Sequence, residues 1–253
     1  MIRPQTIADR RASSVLGRAN ALTKLSIAFL WLIGMAFTTR PGPPLIIAGI
    51  ALASGLLLGR IRPGDLLQAL APLWLVAGIV VLSNIVFGAA NTDPLATEVA
   101  QVGPLRITAE ALSIATALGL RVVAIASVGA VFALTTEPTR LVDALVQGAR
   151  VPERFAYGAL AAYQAIPRFA EDLTTLRQAR RIRGLRGSWH PRLLLGLLVL
   201  SIRHGDRVAL AMDARGFGSG PRTRYREVHW TVLDLALGVG AVISLLAALA
   251  LVS

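Results

Sequence analysis

Long stretches without a charged residue constrain this chain more than any other feature of its sequence. The stretches, bounded by charged residues or the chain end, are 25–39, 41–59, 66–92, 111–136 (with Arg121 as its one charge) and 235–253. An apolar helix needs about 20 residues to cross a bilayer. We therefore predict an all-α integral membrane protein with about five transmembrane helices. The first should begin near Ala21 with Lys24 snorkelling, and Pro41–Pro44 should form a tight turn before the second.

The distribution of charge predicts the orientation of these helices. Residues 137–229 contain 16 arginines against eight acidic residues, whereas residues 89–110 contain three acidic residues and one arginine. Basic segments stay on the cytoplasmic side of a membrane. We therefore expect the N-terminus and residues 137–229 in the cytoplasm, with the acidic loop and the C-terminus outside.

The basic region has the pattern of amphipathic helices, because its apolar residues recur at intervals of three and four. The predicted helices are a short one at about Thr139–Gln147 and long ones at about Arg168–Arg183 and Pro191–Arg215. Pro167 is expected to separate the first long helix from the apolar segment Phe155–Ile166, which is too short to span. The predicted organisation is a membrane part (1–136), a cytoplasmic helical module (137–229) and a final transmembrane helix (230–253).

Both long helices are predicted to end in the same way, at Ile182-Arg183-Gly184 and at Ala214-Arg215-Gly216. Glycine directly after the last periodic residue is a helix C-terminus signal, because glycine adopts the left-handed cap conformation at little cost. Each helix would then present an exposed guanidinium at its end. Arginine complements the helix dipole there, but its repetition favours a second interpretation, docking of a partner.

Composition excludes several kinds of chemistry. The chain has no cysteine, and its three histidines (His190, His204 and His229) lie far apart in sequence, so no metal site or cofactor is predicted. Its one lysine, Lys24, lies between Thr23 and Leu25, so no Gly-Lys-Ser/Thr phosphate-binding loop can be formed. The glycine-rich segment Gly216–Pro221 follows a helix instead of preceding one, so we interpret it as a plain loop.

Two polar residues lie within predicted transmembrane helices, Asn84 and Arg121. An ionisable residue inside a span is a candidate functional group, with a structural pair as the alternative. An extended arginine at position 121 could reach Asn84, and we favour a structural role for the two residues.

The motifs resemble those of the transmembrane T component of energy-coupling factor (ECF) transporters, the EcfT/CbiQ-type permease family. Ala179-Arg180-Arg181-Ile182-Arg183-Gly184 is similar to the family's first Ala-Arg-Gly box, with Ile182 where a small residue is usual. The segment from Asp206 to Phe217 is very like the second box. Weaker similarities lie at Asn84–Phe87, Arg121, Leu134–Pro138 and Ile166-Pro167.

The resemblance implies a non-catalytic scaffold of a primary importer for a vitamin or a transition-metal ion, in a bacterial or archaeal cell membrane. Two cytoplasmic ABC-type ATPase subunits would bind the two helix ends through Arg183 and Arg215, with Ile182, Gly184, Ala214 and Gly216 beside them. A separate membrane-embedded S component would capture the substrate.

Three other classes are weighed on the residues themselves. A stand-alone channel or secondary transporter would carry polar residues along several spans or broken helices, whereas here Asn84 and Arg121 stand out alone. A nucleic-acid binder using Gln178–Arg192 would need aromatic residues among the arginines, and Trp189 alone is available, so no nucleic acid is expected. An intramembrane enzyme would need a nucleophile, a metal or an acid/base cluster, and none is evident.

Overall fold

The computed structural model describes residues 14–36, 38, 40–92, 97–102, 105–185, 190–220 and 226–250. Within these ranges the chain forms nine α-helices and one β-hairpin. The helices are α1 (Val15–Arg18), α2 (Ala21–Ala36), α3 (Gly42–Leu57), α4 (Pro63–Phe87), α5 (Ala109–Thr135), α6 (Pro138–Gly148), α7 (Glu153–Ile182), α8 (Pro191–Ala214) and α9 (Val232–Ala250). A 3₁₀ turn (Ala89–Thr92) and strands β1 (Glu98–Val102) and β2 (Leu105–Thr108) connect α4 to α5.

The chain divides into two compact units. The first comprises the residues up to Leu141 together with those from His229 onward, and the second comprises Val142–Val228. The first unit holds α1 to α5, the hairpin and α9, and the second holds α7 and α8. The predicted membrane and cytoplasmic locations of the corresponding segments remain predictions.

The first unit is built from apolar helices. Three of them are long and apolar enough to cross a membrane, namely α5, α9 and the segment Pro63–Asn91 that includes α4. The apolar helices α2 and α3 have 16 residues each, about 24 Å at 1.5 Å per residue, against about 30 Å of bilayer hydrocarbon. The prediction of an all-α membrane protein with about five apolar helices is confirmed, with the β-hairpin as a small addition.

Helix α5 is at the centre of the first unit and packs through small residues. Ala115 and Ala124 are fully buried, and a side chain at Gly119 would collide with Val81 of α4. Small residues allow apolar helices to approach closely. At another contact in this unit, the indole of Trp31 on α2 donates a hydrogen bond to the Ala241 carbonyl of α9 at 3.1 Å.

Buried polar groups join the ends of three helices in the first unit. The carboxylate of Asp234, only 2% exposed, accepts the backbone N–H of Asn20 at 2.7 Å and both the N–H and hydroxyl of Thr231. Lys24 is also buried, and its ammonium donates to the Thr135 carbonyl at the end of α5. The snorkelling prediction for Lys24 is therefore wrong. Its ammonium does not extend to the membrane surface but donates a hydrogen bond to a helix C-terminal carbonyl, whose partial negative charge stabilises it.

Two predictions about proline were also wrong. Pro41–Pro44 is not a separate turn, since α3 begins at Gly42 and Pro43 and Pro44 lie in its first turn, where a missing N–H costs nothing. Pro167 does not separate two helices but lies inside the continuous helix α7. Pro167 is on the exposed side of that helix, as is Tyr163, so solvent can hydrate the Tyr163 carbonyl that proline leaves without its usual donor.

The connection between α4 and α5 forms an antiparallel hairpin that the sequence interpretation treated as a loop. Glu98 pairs with Thr108 and Val102 with Leu105, and a salt bridge of 3.4 Å joins Arg106 to Glu98 across the strands. The β-branched residues in both segments suit a pleated strand, but five- and four-residue strands give too short a pattern to predict.

In the second unit, α7 and α8 lie antiparallel. Leu176 lies against Gly196, Phe169 meets His204 edge-to-face at 6.0 Å, and Arg154 donates to the Gly218 carbonyl just after α8. As the α7 residue number falls, that of its partner rises by about the same amount. The end of each helix therefore lies beside the start of the other.

Candidate functional site

The first arginine tip, Ile182–Leu185, closes α7 with a Schellman motif. The Leu185 N–H donates to the Arg180 carbonyl at 3.2 Å and the Gly184 N–H to the Arg181 carbonyl at 3.1 Å. Gly184 has a φ of 71°, the left-handed conformation that this motif requires. Arg183 is the C-cap residue and is exposed, and the neighbouring Ile182 is 87% exposed.

The second arginine tip, Ala214–Phe217, closes α8 with the same motif. The Phe217 N–H donates to the Met212 carbonyl at 2.9 Å and the Gly216 N–H to the Asp213 carbonyl at 2.8 Å. Gly216 has a φ of 66°, and the exposed Arg215 occupies the C-cap position. The backbone angles of the two arginines agree closely, at φ −78° and ψ 10° for Arg183 and φ −90° and ψ 7° for Arg215. The prediction that both helices end at an Arg-Gly pair is confirmed.

The antiparallel arrangement places the two tips at opposite ends of one helix pair. The first tip lies beside the start of α8, and the second lies beside the start of α7. Helix α8 has 24 residues, so the two arginines are separated by about 36 Å along the helix axis. Two separate partner molecules, or two subunits of one partner, could therefore bind without competing for space.

The second tip is braced by side chains that the sequence interpretation missed. The ring of Tyr157 meets Phe217 edge-to-face at 6.5 Å, and the Tyr157 hydroxyl donates to Asp143 at 2.8 Å. Arg154 contacts Gly218, where an added side chain would collide with its guanidinium. The contacts of Tyr157 with Phe217 and of Arg154 with Gly218 join residues about 60 positions apart in the chain, and no local pattern signals them.

Asn84 and Arg121 do not meet. The Asn84 amide donates to the Val80 carbonyl one turn earlier in α4, while Arg121 donates to the Thr38 carbonyl just beyond the end of α2. The expected reach of Arg121 to Asn84 is therefore not realised. Thr38 lies two residues past the last residue of α2 and outside any helix, so its carbonyl is available to accept from the Arg121 guanidinium.

The apolar helices, three of them of spanning length, are those of an integral membrane protein, and the comparisons with known proteins give its family. A family model described as cobalt transport protein, CbiQ, matches residues 12–225. An energy-coupling factor transporter transmembrane protein, EcfT, from Lactococcus lactis subsp. cremoris is 27% identical over 249 residues, 91% of each chain. An EcfT from Heliobacterium modesticaldum is 29% identical over 231 residues, 85% of this chain and 82% of that one. The chain belongs to the CbiQ cobalt transport protein family, as its two Arg-Gly boxes predicted.

A longer relative carries a different description. A putative ABC transporter ATP-binding protein from Bifidobacterium longum is 26% identical over 251 residues, which is 92% of this chain but 31% of that protein. The present chain thus spans about a third of that relative's length.

Proposed function

We propose that this protein is the non-catalytic coupling subunit of an ATP-driven ECF-type importer for a vitamin or a transition-metal ion. In this proposal its two arginine tips bind two ABC-type ATPase subunits, and α7 and α8 transmit the movements of these subunits to a membrane-embedded, substrate-binding S component. The observation that carries the proposal is the repetition of one motif, an exposed C-cap arginine before a left-handed glycine, at both ends of one helix pair.

The chemistry of the tips suits a negatively charged groove on a partner. A guanidinium donates paired, charge-assisted hydrogen bonds to a carboxylate, a geometry that an ammonium cannot reproduce. The glycine after each arginine leaves room for close approach of the partner's backbone. At the first tip, burial of the exposed Ile182 side chain would contribute about 1.5–3 kcal/mol more.

Two further observations support ATPases as the partners. Almost the whole of this chain is similar to one part of a longer protein that is named as ATP-binding. This supports an association between a chain of this kind and an ATP-binding unit. The separation of about 36 Å between the tips suits one ATPase subunit at each tip. Because Arg183 and Arg215 have the same cap geometry, the two subunits could be identical or closely related.

We expect the isolated chain neither to bind nor to hydrolyse ATP, because its single lysine lies outside any phosphate-binding loop. Equilibrium dialysis with labelled ATP and a phosphate-release assay on the purified chain test this, with the reconstituted complex as the positive control. Saturable binding or turnover that survives removal of contaminating ATPases would contradict the expectation.

The charge pattern supports an orientation with the acidic connection 89–110, which includes the hairpin, outside and the arginine tips in the cytoplasm. The chain has no cysteine, so single cysteines can report on it. Val99→Cys in the hairpin should react with an impermeant thiol reagent in intact cells, whereas Ser219→Cys after the second tip should react only in lysed cells. Both positions are exposed. The opposite labelling pattern would reverse the proposed topology.

A further inference from the structure

A cavity of about 640 Å³ lies along the first half of α5. Its wall is one face of the helix, formed by residues at intervals of three and four that include Glu110, Ser113, Ala117 and Arg121, and Arg40 lies at its edge. The cavity is formed by residues of the first unit.

The short length of α2 and α3 explains this cavity. The connection between them passes beside the middle of α5, because Thr38 accepts the hydrogen bond from Arg121, the thirteenth of the 27 residues of α5. Helix α5 continues for about 18 Å beyond that point toward its own N-terminus. Among the residues that the structure describes, the cavity lies along this part of α5, beyond the level of the α2–α3 connection.

Arg121 carries a full charge at the middle of a helix long and apolar enough to cross the membrane. Charged residues at this depth face a water-filled space or a partner of opposite charge, because exposure of a charge to hydrocarbon is costly. One guanidinium nitrogen of Arg121 donates to Thr38, while its Nε is buried and has no hydrogen-bond partner among the residues that the structure describes. The buried Nε cannot be reached from the cavity, but a guanidinium carries five N–H donors, so the bond to Thr38 leaves other donors on a side chain that also lines the cavity.

We infer that this cavity is a water-filled crevice that binds an oxyanion, a carboxylate or a phosphate, at Arg121. Guanidinium recognises both groups through paired hydrogen bonds, and an anion there would neutralise a charge held at the middle of the membrane. A free oxyanion and the phosphate of an anionic lipid headgroup share this chemistry. The inference does not depend on the docking of ATPases at the arginine tips.

Accessibility of single cysteines tests whether the crevice is aqueous. Ser113→Cys faces the crevice, and Leu112→Cys, at nearly the same depth on the opposite face of α5 and also exposed, is the matched control. In phosphatidylcholine nanodiscs, where both membrane surfaces are open to reagent, Ser113→Cys should react with charged methanethiosulfonates and Leu112→Cys should not. Equal reactivity of the two positions, or none at either, would overturn the inference.

The sign of the reagent tests the role of Arg121. A negatively charged reagent should modify Ser113→Cys about tenfold faster than a positively charged one of similar size, since a charge in a low-dielectric cleft concentrates counter-ions. Arg121→Gln should remove this preference. Arg121→Lys keeps the positive charge and should retain the preference. It provides a second measurement if the glutamine variant fails to fold. A preference that is absent from the parent Ser113→Cys protein, or that survives in Arg121→Gln, would contradict the inference.

Protection experiments identify the source of the anion. Inorganic phosphate should slow modification of Ser113→Cys in phosphatidylcholine nanodiscs if the site binds a soluble oxyanion, whereas phosphatidylglycerol in the bilayer should slow it if the site binds a lipid headgroup. Arg121→Lys should weaken either protection, because the paired geometry is lost. If neither probe protects, the crevice does not bind an oxyanion and the inference fails.

Discussion

The double variant Arg183→Glu/Arg215→Glu is expected to lose nearly all binding of the ATPase subunits and nearly all ATP-driven substrate uptake. Breaking one desolvated charge pair at an interface costs about 2–5 kcal/mol, largely because the partner's carboxylate is left buried and unpaired. That range corresponds to a loss of roughly 30- to 4,000-fold in affinity at each tip. Either single variant should weaken assembly, and the double variant should nearly abolish it because the two sites act together. Copurification of the ATPases and uptake by reconstituted vesicles measure the two effects.

A matched double variant separates docking from simple loss of positive charge. Arg177→Glu/Arg203→Glu makes the same change in net charge at two exposed positions of α7 and α8 away from the tips and outside the two boxes, and it should bind ATPases nearly as well as the unmodified protein. If arginine served only to complement the helix dipole, reversal at each tip would cost under about 1 kcal/mol. ATPase binding at the unmodified level by a folded Arg183→Glu/Arg215→Glu protein would refute the docking proposal.

Asp234→Ala is expected to reduce the stability of the first unit by about 2–5 kcal/mol, because it leaves the buried N–H of Asn20 and the partly buried N–H of Thr231 without their carboxylate acceptor. Asp234→Asn keeps one acceptor oxygen and should lose less. Glu171→Ala removes an exposed carboxylate elsewhere and should change stability by under about 0.5 kcal/mol. Unfolding of the three variants in detergent, followed by circular dichroism, gives the comparison, and equal stability of Asp234→Ala and Glu171→Ala would contradict the assigned role.

The ends of α7 and α8 could be predicted from sequence because a local rule governs them. Gly184 and Gly216 adopt the left-handed conformation that ends a helix at little cost, and this preference does not depend on what packs nearby. The apolar helices were predictable for a similar reason, since a long uncharged stretch is itself the physical requirement for crossing a bilayer. The chemistry of the docking proposal came from the same local motifs.

Several of the errors share one physical origin, namely contacts between residues far apart in the chain. Lys24 has an internal acceptor because the end of α5 lies beside it, and Arg121 bonds to Thr38 instead of Asn84 because α2 ends at the middle of α5. The bracing of the second tip by Tyr157 likewise depends on the antiparallel packing of α7 and α8. Pro167 differs, since its local cost of about 3 kcal/mol was overridden by helix formation on both sides.

The antiparallel pair also restricts how any motion could pass between its ends. An α-helix does not shorten appreciably under load, because its length is set by hydrogen bonds in series along the axis. Two bodies attached at Arg183 and Arg215 can therefore approach each other only if α7 and α8 slide or pivot against one another. At the contact of Leu176 with Gly196, glycine has no side chain to obstruct such a movement. A change in the distance between the two arginines would then become a change in the crossing angle of α7 and α8.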